Sequence, residues 1–300
     1  MDSRRHPLTV PRSKRIRLVV DSDARNEADD QYAIVHALLT PRFDVRGLVG
    51  AHFGVRNGLD TAAASVAEIH HLLELMRLPA PPPVAAGVSR PLRDAVGGAP
   101  GVDLIVAEAM RDDPLPLFVA FLGPLTDLAA ALRVEPRIAG RLTAVWIGGG
   151  PYPDGGAEFN LGNDVDAANE VFDSEVELWQ IPNAAYGMMR VGLSELAVRV
   201  APRGPVGAYL FRQLVEFNDA MGDNANWPAG ESWVLGDSPA VGVLLDEHWM
   251  DHRQIPAPIV RPDLSYQHRQ DRSRTIRVYH RVDSRFVLED LYAKLTLAYG

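Results

Sequence analysis

Short apolar runs alternate along the chain with longer segments in which apolar residues recur every three or four positions. The short runs predict β-strands at residues 17–21, 45–50, 83–86, 117–122, 144–147, 176–181 and 276–280. The longer segments predict helices at residues 29–39, 57–76, 126–132, 166–172, 206–220, 239–246 and 285–297. Strands that alternate with helices are typical of an α/β fold with a mostly parallel, Rossmann-like sheet and helices on both faces.

No repeat, low-complexity tract or clear linker divides the 300 residues. We therefore expect one domain over residues 1–300, with residues 1–14 forming a flexible N-terminal tail. The basic start of the chain is followed by only a short apolar run, too short for a signal-peptide core or a spanning helix. A cytoplasmic protein with no membrane partner is the expectation.

The composition excludes several kinds of chemistry. The net charge of -9 disfavours a nucleic acid partner, because binding a phosphate backbone requires clustered Lys and Arg side chains. The absence of Cys excludes disulfides, zinc ribbons, iron–sulfur clusters and thiol nucleophiles. Carboxylates, amides and hydroxyls remain as the groups that can form a site.

The strongest chemical signal is a run of acidic residues directly after the first predicted strand. Five carboxylates fall within residues 21–30, namely Asp21, Asp23, Glu27, Asp29 and Asp30. Like charges this close repel one another unless a cation or a proton compensates, and oxygen ligands suit a hard metal ion such as Ca²⁺ or Mg²⁺. The alternative is that these carboxylates only cap the following helix, although capping needs one or two of them.

Two further segments follow predicted strands, and the carboxyl ends of parallel strands line one edge of a sheet. They are GPLTD at residues 123–127 and GGG at 148–150. AEFN follows at residues 157–160, and GDSP at 236–239 precedes a predicted helix. Glu158 and Asn160 lie two apart, which in an extended piece points both side chains the same way and suits a pair of sugar hydroxyls. Asp127 has no role in this interpretation, and Asp237 by itself suggests a helix N-cap.

Taken together, these segments resemble the inosine-uridine preferring nucleoside hydrolase family, whose hallmark is an Asp-x-Asp…Asp-Asp segment after the first strand. The resemblance implies a calcium-dependent N-ribosyl hydrolase acting on a nucleoside, commonly as a dimer or tetramer. It makes Asp23 both the base that activates water and a calcium ligand. The other implied calcium ligands are Asp30, the Thr126 carbonyl and Asp237, and the implied ribose ligands are Asp29, Glu158 and Asn160.

This sequence departs from the family pattern at several positions. Five residues separate Asp23 from Asp29 where the family has three, so Asn26 or Glu27 either enters the site or lies in solvent. Gly236 replaces the His that family members often use as the leaving-group acid. Two Asn positions hold other residues: Tyr152 in a shortened segment, and His52, which we place in the substrate site. Trp227 and Trp233 flank a Gly- and Pro-rich loop that is a candidate lid, and either could stack on a base.

Two other functions fit parts of the same pattern. A non-catalytic ribose- or nucleoside-binding protein would keep the ligands and lose the acid at Gly236. A haloacid-dehalogenase-like phosphatase would use Asp21 as its nucleophile with Mg²⁺, but the chain lacks a clear Lys partner, since Lys14 and Lys294 are its only lysines. Turnover of a riboside separates the hydrolase from the binding protein.

Overall fold

A computed structural model describes residues 9–55, 60–95, 98–224, 230–246, 250–268 and 273–300. The strands are β1 (Ile16–Ser22), β2 (Phe43–Gly50), β3 (Val84–Ala86), β4 (Leu117–Phe121), β5 (Leu142–Ile147), β6 (Glu177–Ile181), β7 (Arg190–Gly192), β8 (Ser232–Val234), β9 (His252–Pro256), β10 (Ile259–Val260), β11 (Tyr266–Gln267) and β12 (Thr275–Tyr279). The helices are α1 (Asp30–Leu38), α2 (Thr61–Met76), α3 (Pro100–Met110), α4 (Thr126–Val134), α5 (Phe159–Asn163), α6 (Val165–Asp173), α7 (Asn183–Tyr186), α8 (Leu193–Arg199), α9 (Gly204–Ala220), α10 (Ser238–Leu245) and α11 (Ser284–Tyr299).

The central sheet of the described chain has the strand order β3-β2-β1-β4-β5-β6-β12-β9. Neighbouring strands from β3 to β12 pair in parallel, and only the edge strand β9 runs antiparallel to its neighbour. The order reverses between β1 and β4, and in open α/β sheets ligands bind outside the carboxyl ends of the strands at such a point. The predicted mostly parallel α/β fold is confirmed.

Strand β1 shows why the sheet is covered on both sides. All seven of its residues are buried, and its apolar side chains alternate between two cores. Leu18 and Val20 belong to the core beneath α1, α2, α9, α10 and α11, whereas Val19 belongs to the core beneath α3, α4 and α6. Because β1 is fixed from both faces, the acidic segment at its end has a rigid base.

A short 3₁₀ turn precedes β1 in the described chain. It spans Arg12–Lys14, within the expected tail 1–14, and residues 1–8 of that tail lie outside the described residues. Among the helices described, none is long and apolar enough to cross a membrane.

Candidate active site

A cavity of about 240 Å³ opens at the carboxyl ends of the central strands, which is slightly below the roughly 300–1,000 Å³ usual for ligand pockets. Its wall combines the segment after β1, the ends of β4 and β5, the start of α5, the end of α7 and the connection from β8 to α10. Asp23, Asp29, Asp30, Glu158, Asn160 and Asp237 all line this cavity. The fold therefore brings together six of the predicted site residues from three separate parts of the sequence.

Three of these carboxylates form a compact triangle. Asp29, Asp30 and Asp237 each offer one oxygen, and the three oxygens lie within 4.8 Å of one another. Asp29 and Asp237 occupy the N-cap positions of α1 and α10, yet neither side chain makes a capping hydrogen bond to its own helix. By contrast, Asp164 does cap α6 through the Ala167 N–H. The geometry thus argues against helix capping as the explanation of the acidic run.

Burial raises the pKa of every carboxyl in the triangle, and neighbouring charges add to this for Asp30 and Asp237. Burial raises the pKa of Asp29 to about 6, against the lowering effect of backbone N–H groups that include those of Gly236 and Asp237. Burial, followed by the charge of Asp29, raises the pKa of Asp30 to about 7. Burial and the charges of Asp29 and Asp30 also raise the pKa of Asp237. A cation placed among these oxygens would reverse that balance.

Asp23 lies beside the triangle at the end of the β1 strand. Its side chain is buried, and its Oδ2 atom has no hydrogen-bond partner among the described residues. Burial, then the charges of Asp30 and Asp29, raises its pKa. A Cβ at Gly123 would lie 3.2 Å from the Asp23 side chain, so the glycine of the GPLTD segment leaves room for this carboxylate. Asp23 therefore presents a free oxygen at the cavity.

Glu158 and Asn160 are held by a dense network of hydrogen bonds. The Glu158 carboxylate caps α5, accepting the N–H groups of Asn160 and Leu161, and it also accepts Gly149 N–H at 2.7 Å and Tyr186 O–H at 3.1 Å. A carboxylate has about four acceptor positions, so the chain itself occupies all of those on Glu158. Asn160 donates its amide hydrogens to the carbonyls of Leu122 and Ile147, at 2.7 and 2.9 Å, which leaves its Oδ1 atom for a ligand.

His52 and Thr126, predicted as substrate and calcium ligands, lie outside the lining of this cavity. His52 Nδ1 accepts the Gly54 N–H, so Nε2 carries the proton and donates to Thr126 Oγ1 at 2.8 Å. Thr126 Oγ1 in turn donates to Asp164 at 2.7 Å. Burial lowers the pKa of His52 to about 4. These residues form a hydrogen-bonded cluster with a neutral imidazole that fixes the starts of α4 and α6.

Thr126 is the first residue of α4, and a carbonyl at that position normally accepts a hydrogen bond within the helix. The residue of this segment that reaches the cavity wall is Leu122, which follows β4. The family-implied position of a main-chain ligand at Thr126 therefore disagrees with the geometry. The difference arises because α4 begins at Thr126, four residues beyond the cavity wall.

A second pair of carboxyls, Asp21 and Asp127, lies fully buried outside the cavity lining. Asp127 Oδ1 accepts the Val88 N–H at 2.7 Å, and the two side chains share a hydrogen bond. Burial and then the charge of Asp127 raise the pKa of Asp21, and burial raises the pKa of Asp127 to about 6. Asp127, which has no role in the interpretation of the sequence, is thus half of a buried carboxyl pair.

Gly236 stands where family members often have the leaving-group acid, and Tyr186 lies next to it. A Cβ at Gly236 would lie 3.1 Å from both Asp29 Oδ2 and the Tyr186 ring, so a larger side chain has little room there. Tyr186 lines the cavity, although no motif in the sequence marks it. Burial and Glu158 strongly raise the pKa of the Tyr186 hydroxyl, which therefore keeps its proton.

Some of the remaining candidate residues line the cavity and others do not. Trp233 lines the cavity but is only 2% exposed and packs edge-on against Phe217, with ring centroids 5.8 Å apart. Trp227 lies outside the described residues, which include residues 221–224 and 230 of the candidate lid at 221–230 but not residues 225–229. Tyr152 donates to Gln180 at 2.8 Å and is absent from the lining of the cavity. Asn26 and Glu27 both line it.

A parallel α/β sheet with buried carboxylates and a fixed amide at its switch point defines a class of protein that can bind a polyhydroxylated ligand with a metal ion. The family model described as inosine-uridine preferring nucleoside hydrolase matches residues 18–289. The chain belongs to this family and is therefore of the N-ribosyl hydrolase class. The match gives no support to the phosphatase alternative.

Individual relatives are similar at modest identity. An inosine-uridine preferring nucleoside hydrolase of Leishmania major is 27% identical over 224 residues, which cover 72% of this chain and 67% of that protein. The pyrimidine-specific ribonucleoside hydrolase RihA of Salmonella arizonae is 27% identical over 186 residues, which cover 53% of this chain and 57% of the relative. Since their names specify different bases, they leave the base of this protein's substrate open.

The fold is also shared with a solved plant nucleoside hydrolase. The two chains superimpose with a TM-score of 0.77 at 20% identity, covering 94% of this chain and 99% of the other. At that identity, the likeness is informative about the fold alone.

Proposed function

We propose that the protein hydrolyses the N-glycosidic bond of a ribonucleoside or related riboside, that it requires calcium, and that Asp23 activates the attacking water. The observation that carries this proposal is the juxtaposition of Asp23 with the Asp29, Asp30 and Asp237 triangle in the main cavity. The family membership supports the reaction, and the geometry supports the distribution of roles. The family resemblance also favours a homo-oligomer, and the location we propose is the cytoplasm.

The residues present fit a calcium ion. All candidate ligands are oxygens, they are clustered and buried, and the Asp23 Oδ2 atom has no other partner among the described residues. Asp23, Asp30 and Asp237 would hold the ion, and the cavity wall at Leu122 is better placed than Thr126 to add a main-chain oxygen. When bound, calcium would orient the sugar hydroxyls and lower the pKa of a coordinated water.

The chain's own groups then supply the remaining steps. Asp23 accepts a proton from the water that attacks the anomeric carbon. Asp29 and the Oδ1 atom of Asn160 accept hydrogen bonds from ribose hydroxyls, while Glu158 acts through the groups that it positions. The surrounding carboxylates favour the positive charge that develops on the sugar as the C–N bond breaks.

Hydrolysis of p-nitrophenyl riboside by the purified full chain with calcium tests this function directly. We expect multiple turnovers per chain, with release of p-nitrophenol and ribose in equal amounts. A nucleoside-binding protein would instead bind the riboside, for example by calorimetry, and release no product. Saturable binding without turnover would therefore replace the hydrolase with the binding protein.

A further inference from the structure

The segment between Asp23 and Asp29 is built as a fixed wall of the cavity. The buried side chain of Gln31 donates to the Ala24 carbonyl at 2.6 Å, and Gln213 donates to the Ala28 carbonyl at 2.8 Å. Gln31 is also tied to Glu68 at 3.2 Å. Two glutamines from α1 and α9 thus hold the main chain on either side of Asn26 and Glu27.

Glu27 points from this wall into the cavity. Its side chain lines the cavity close to Trp233, which lowers the pKa of Glu27 slightly against the larger raising effect of burial and which packs against Phe217. Glu27 is not part of the triangle of Asp29, Asp30 and Asp237, which is the cluster of metal-ligand geometry found within the described chain. The carboxylate of Glu27 is therefore positioned by the protein at a place separate from those three oxygens.

The other polar groups of the cavity already have assignments. The acidic triangle and Asp23 face the metal and the water, Asn160 faces the ribose, and Tyr186 donates its hydroxyl to Glu158. The part of the described wall left for the aglycone contains apolar groups together with Asn26 and Glu27. Glu27 is the carboxylate of the described lining that has no other assignment, so it is the acceptor available to a planar base in this space.

We infer that Glu27, which the fixed segment places at the cavity, accepts a hydrogen bond from an N–H group of the leaving base and so determines which ribosides are cleaved well. This inference rests on the proposed hydrolase function. The substrate class it favours is a riboside whose base carries a ring N–H, such as a 6-oxopurine or a uracil.

Methylation of the ring N–H provides the test, using inosine against 1-methylinosine and uridine against 3-methyluridine. The pair used is the one whose unmethylated nucleoside is cleaved faster by the native protein. For that pair we expect methylation to lower the kcat/KM of the native protein by about 10-fold or more. In Glu27→Met, which keeps the side-chain length without the acceptor, the same methylation should change kcat/KM by about 3-fold or less. Any steric effect of the methyl group is common to both proteins and cancels in this double ratio.

Reference measurements separate the possible outcomes. Glu74→Met, on the exposed side of α2, should match the native protein in every assay. Glu27→Gln retains an acceptor and should lie between Glu27→Met and native, with thermal unfolding showing that both variants fold. The loss in Glu27→Met should be about 10-fold smaller for p-nitrophenyl riboside, which has no ring N–H, than for the unmethylated nucleoside.

Two results would overturn the inference. Equal losses on all ribosides, with a weaker calcium affinity by calorimetry, would assign Glu27 to the metal. An unchanged response to methylation in Glu27→Met would show that Glu27 does not contact the base. Absence of turnover by the native protein on every riboside would instead refute the hydrolase proposal itself.

Discussion

The molecule contains two groups of buried aspartates that arise from the same few segments but behave differently. In the first, Asp29, Asp30 and Asp237 converge on an open cavity without capping their helices. In the second, Asp21 and Asp127 are sealed from the cavity and bonded to each other, with Asp127 also bonded to the main chain. Burial raises the pKa of both groups, so a raised pKa by itself does not identify a catalytic site.

Access from the cavity distinguishes a ligand site from a structural one in this molecule. Asp21 and Asp127 lie away from the cavity lining, whereas Asp29, Asp30 and Asp237 line it. Asp23 also lines the cavity, and its Oδ2 atom has no hydrogen-bond partner among the described residues. A site is therefore marked by unsatisfied oxygens that a ligand can reach.

The largest expected effect is that of Asp23→Asn, which preserves shape but removes the proposed base. We expect kcat for p-nitrophenyl riboside to fall by about 10²–10⁴-fold, because that is the usual contribution of a general base. The thermal midpoint should stay at or above the native value, since a buried charge is removed. Asp112→Asn, at an exposed position, is the matched control and should retain full activity. Equal losses in both variants would remove Asp23 from the mechanism.

The second prediction concerns the leaving group, because Gly236 and the proton-retaining Tyr186 offer no evident acid. p-Nitrophenyl riboside should be hydrolysed much faster than inosine or uridine, and purine nucleosides faster than pyrimidine nucleosides. Across substituted phenyl ribosides, log kcat/KM should fall steeply as the pKa of the leaving phenol rises. A flat dependence would mean that another acidic side chain of the protein protonates the leaving group.

The third prediction separates the two groups by how calcium changes the pH dependence of stability. In calcium-free protein, the raised pKa values of Asp29 and Asp30, about 6 and 7, mean that the unfolded chain ionises first as pH rises. Stability should therefore fall between about pH 4 and pH 7, and calcium should restore most of it by binding the ionised triangle. Thermal unfolding at pH 5 and pH 7.5, with and without calcium, measures this. A midpoint that rises with pH in chelator would contradict the assignment.

The smallest expected effect is that of Asp127→Asn with calcium saturating. Asn keeps a side-chain oxygen for the Val88 N–H but removes a buried charge whose folded pKa is raised to about 6. Above pH 6 the variant should be more stable than the native protein by about 1–3 kcal/mol, and this gain should vanish near pH 4. Urea unfolding at both pH values provides the measurement. A variant that is less stable at pH 7 would show that the carboxylate has a required partner.

Much of the central sheet was predictable because its strands are buried on both faces and form apolar runs. The helix α3 was missed, although its apolar residues Val102, Ile105 and Ala109 are spaced for one face. The edge strand β9 was missed because it is mostly exposed and carries no apolar alternation. The spacing of apolar residues in a sequence reflects which side chains are buried. Elements at the edge of the fold bury few side chains, so their sequences show only weak apolar periodicity.

The acidic residues of the site were predictable because their clustering is costly without a function. The positions of His52 and Thr126 were not, since the start of α4 and the loop after β2 depend on tertiary hydrogen bonds. Tyr186 was missed because a tyrosine in a short helix has no local signature. Glu27 lies in a segment two residues longer than the family pattern, so the sequence left open whether it enters the site, and the cavity lining shows that it does.

The proposed mechanism depends above all on a calcium site formed by the buried aspartates of the cavity. Its most direct test is the rate of p-nitrophenyl riboside hydrolysis by metal-stripped protein as free calcium is raised, alongside calorimetric binding of calcium alone. We predict negligible activity after exhaustive chelation, and a saturable recovery that parallels the binding of one calcium ion per chain. Full activity in the stripped protein, with no calcium bound, would contradict the proposal.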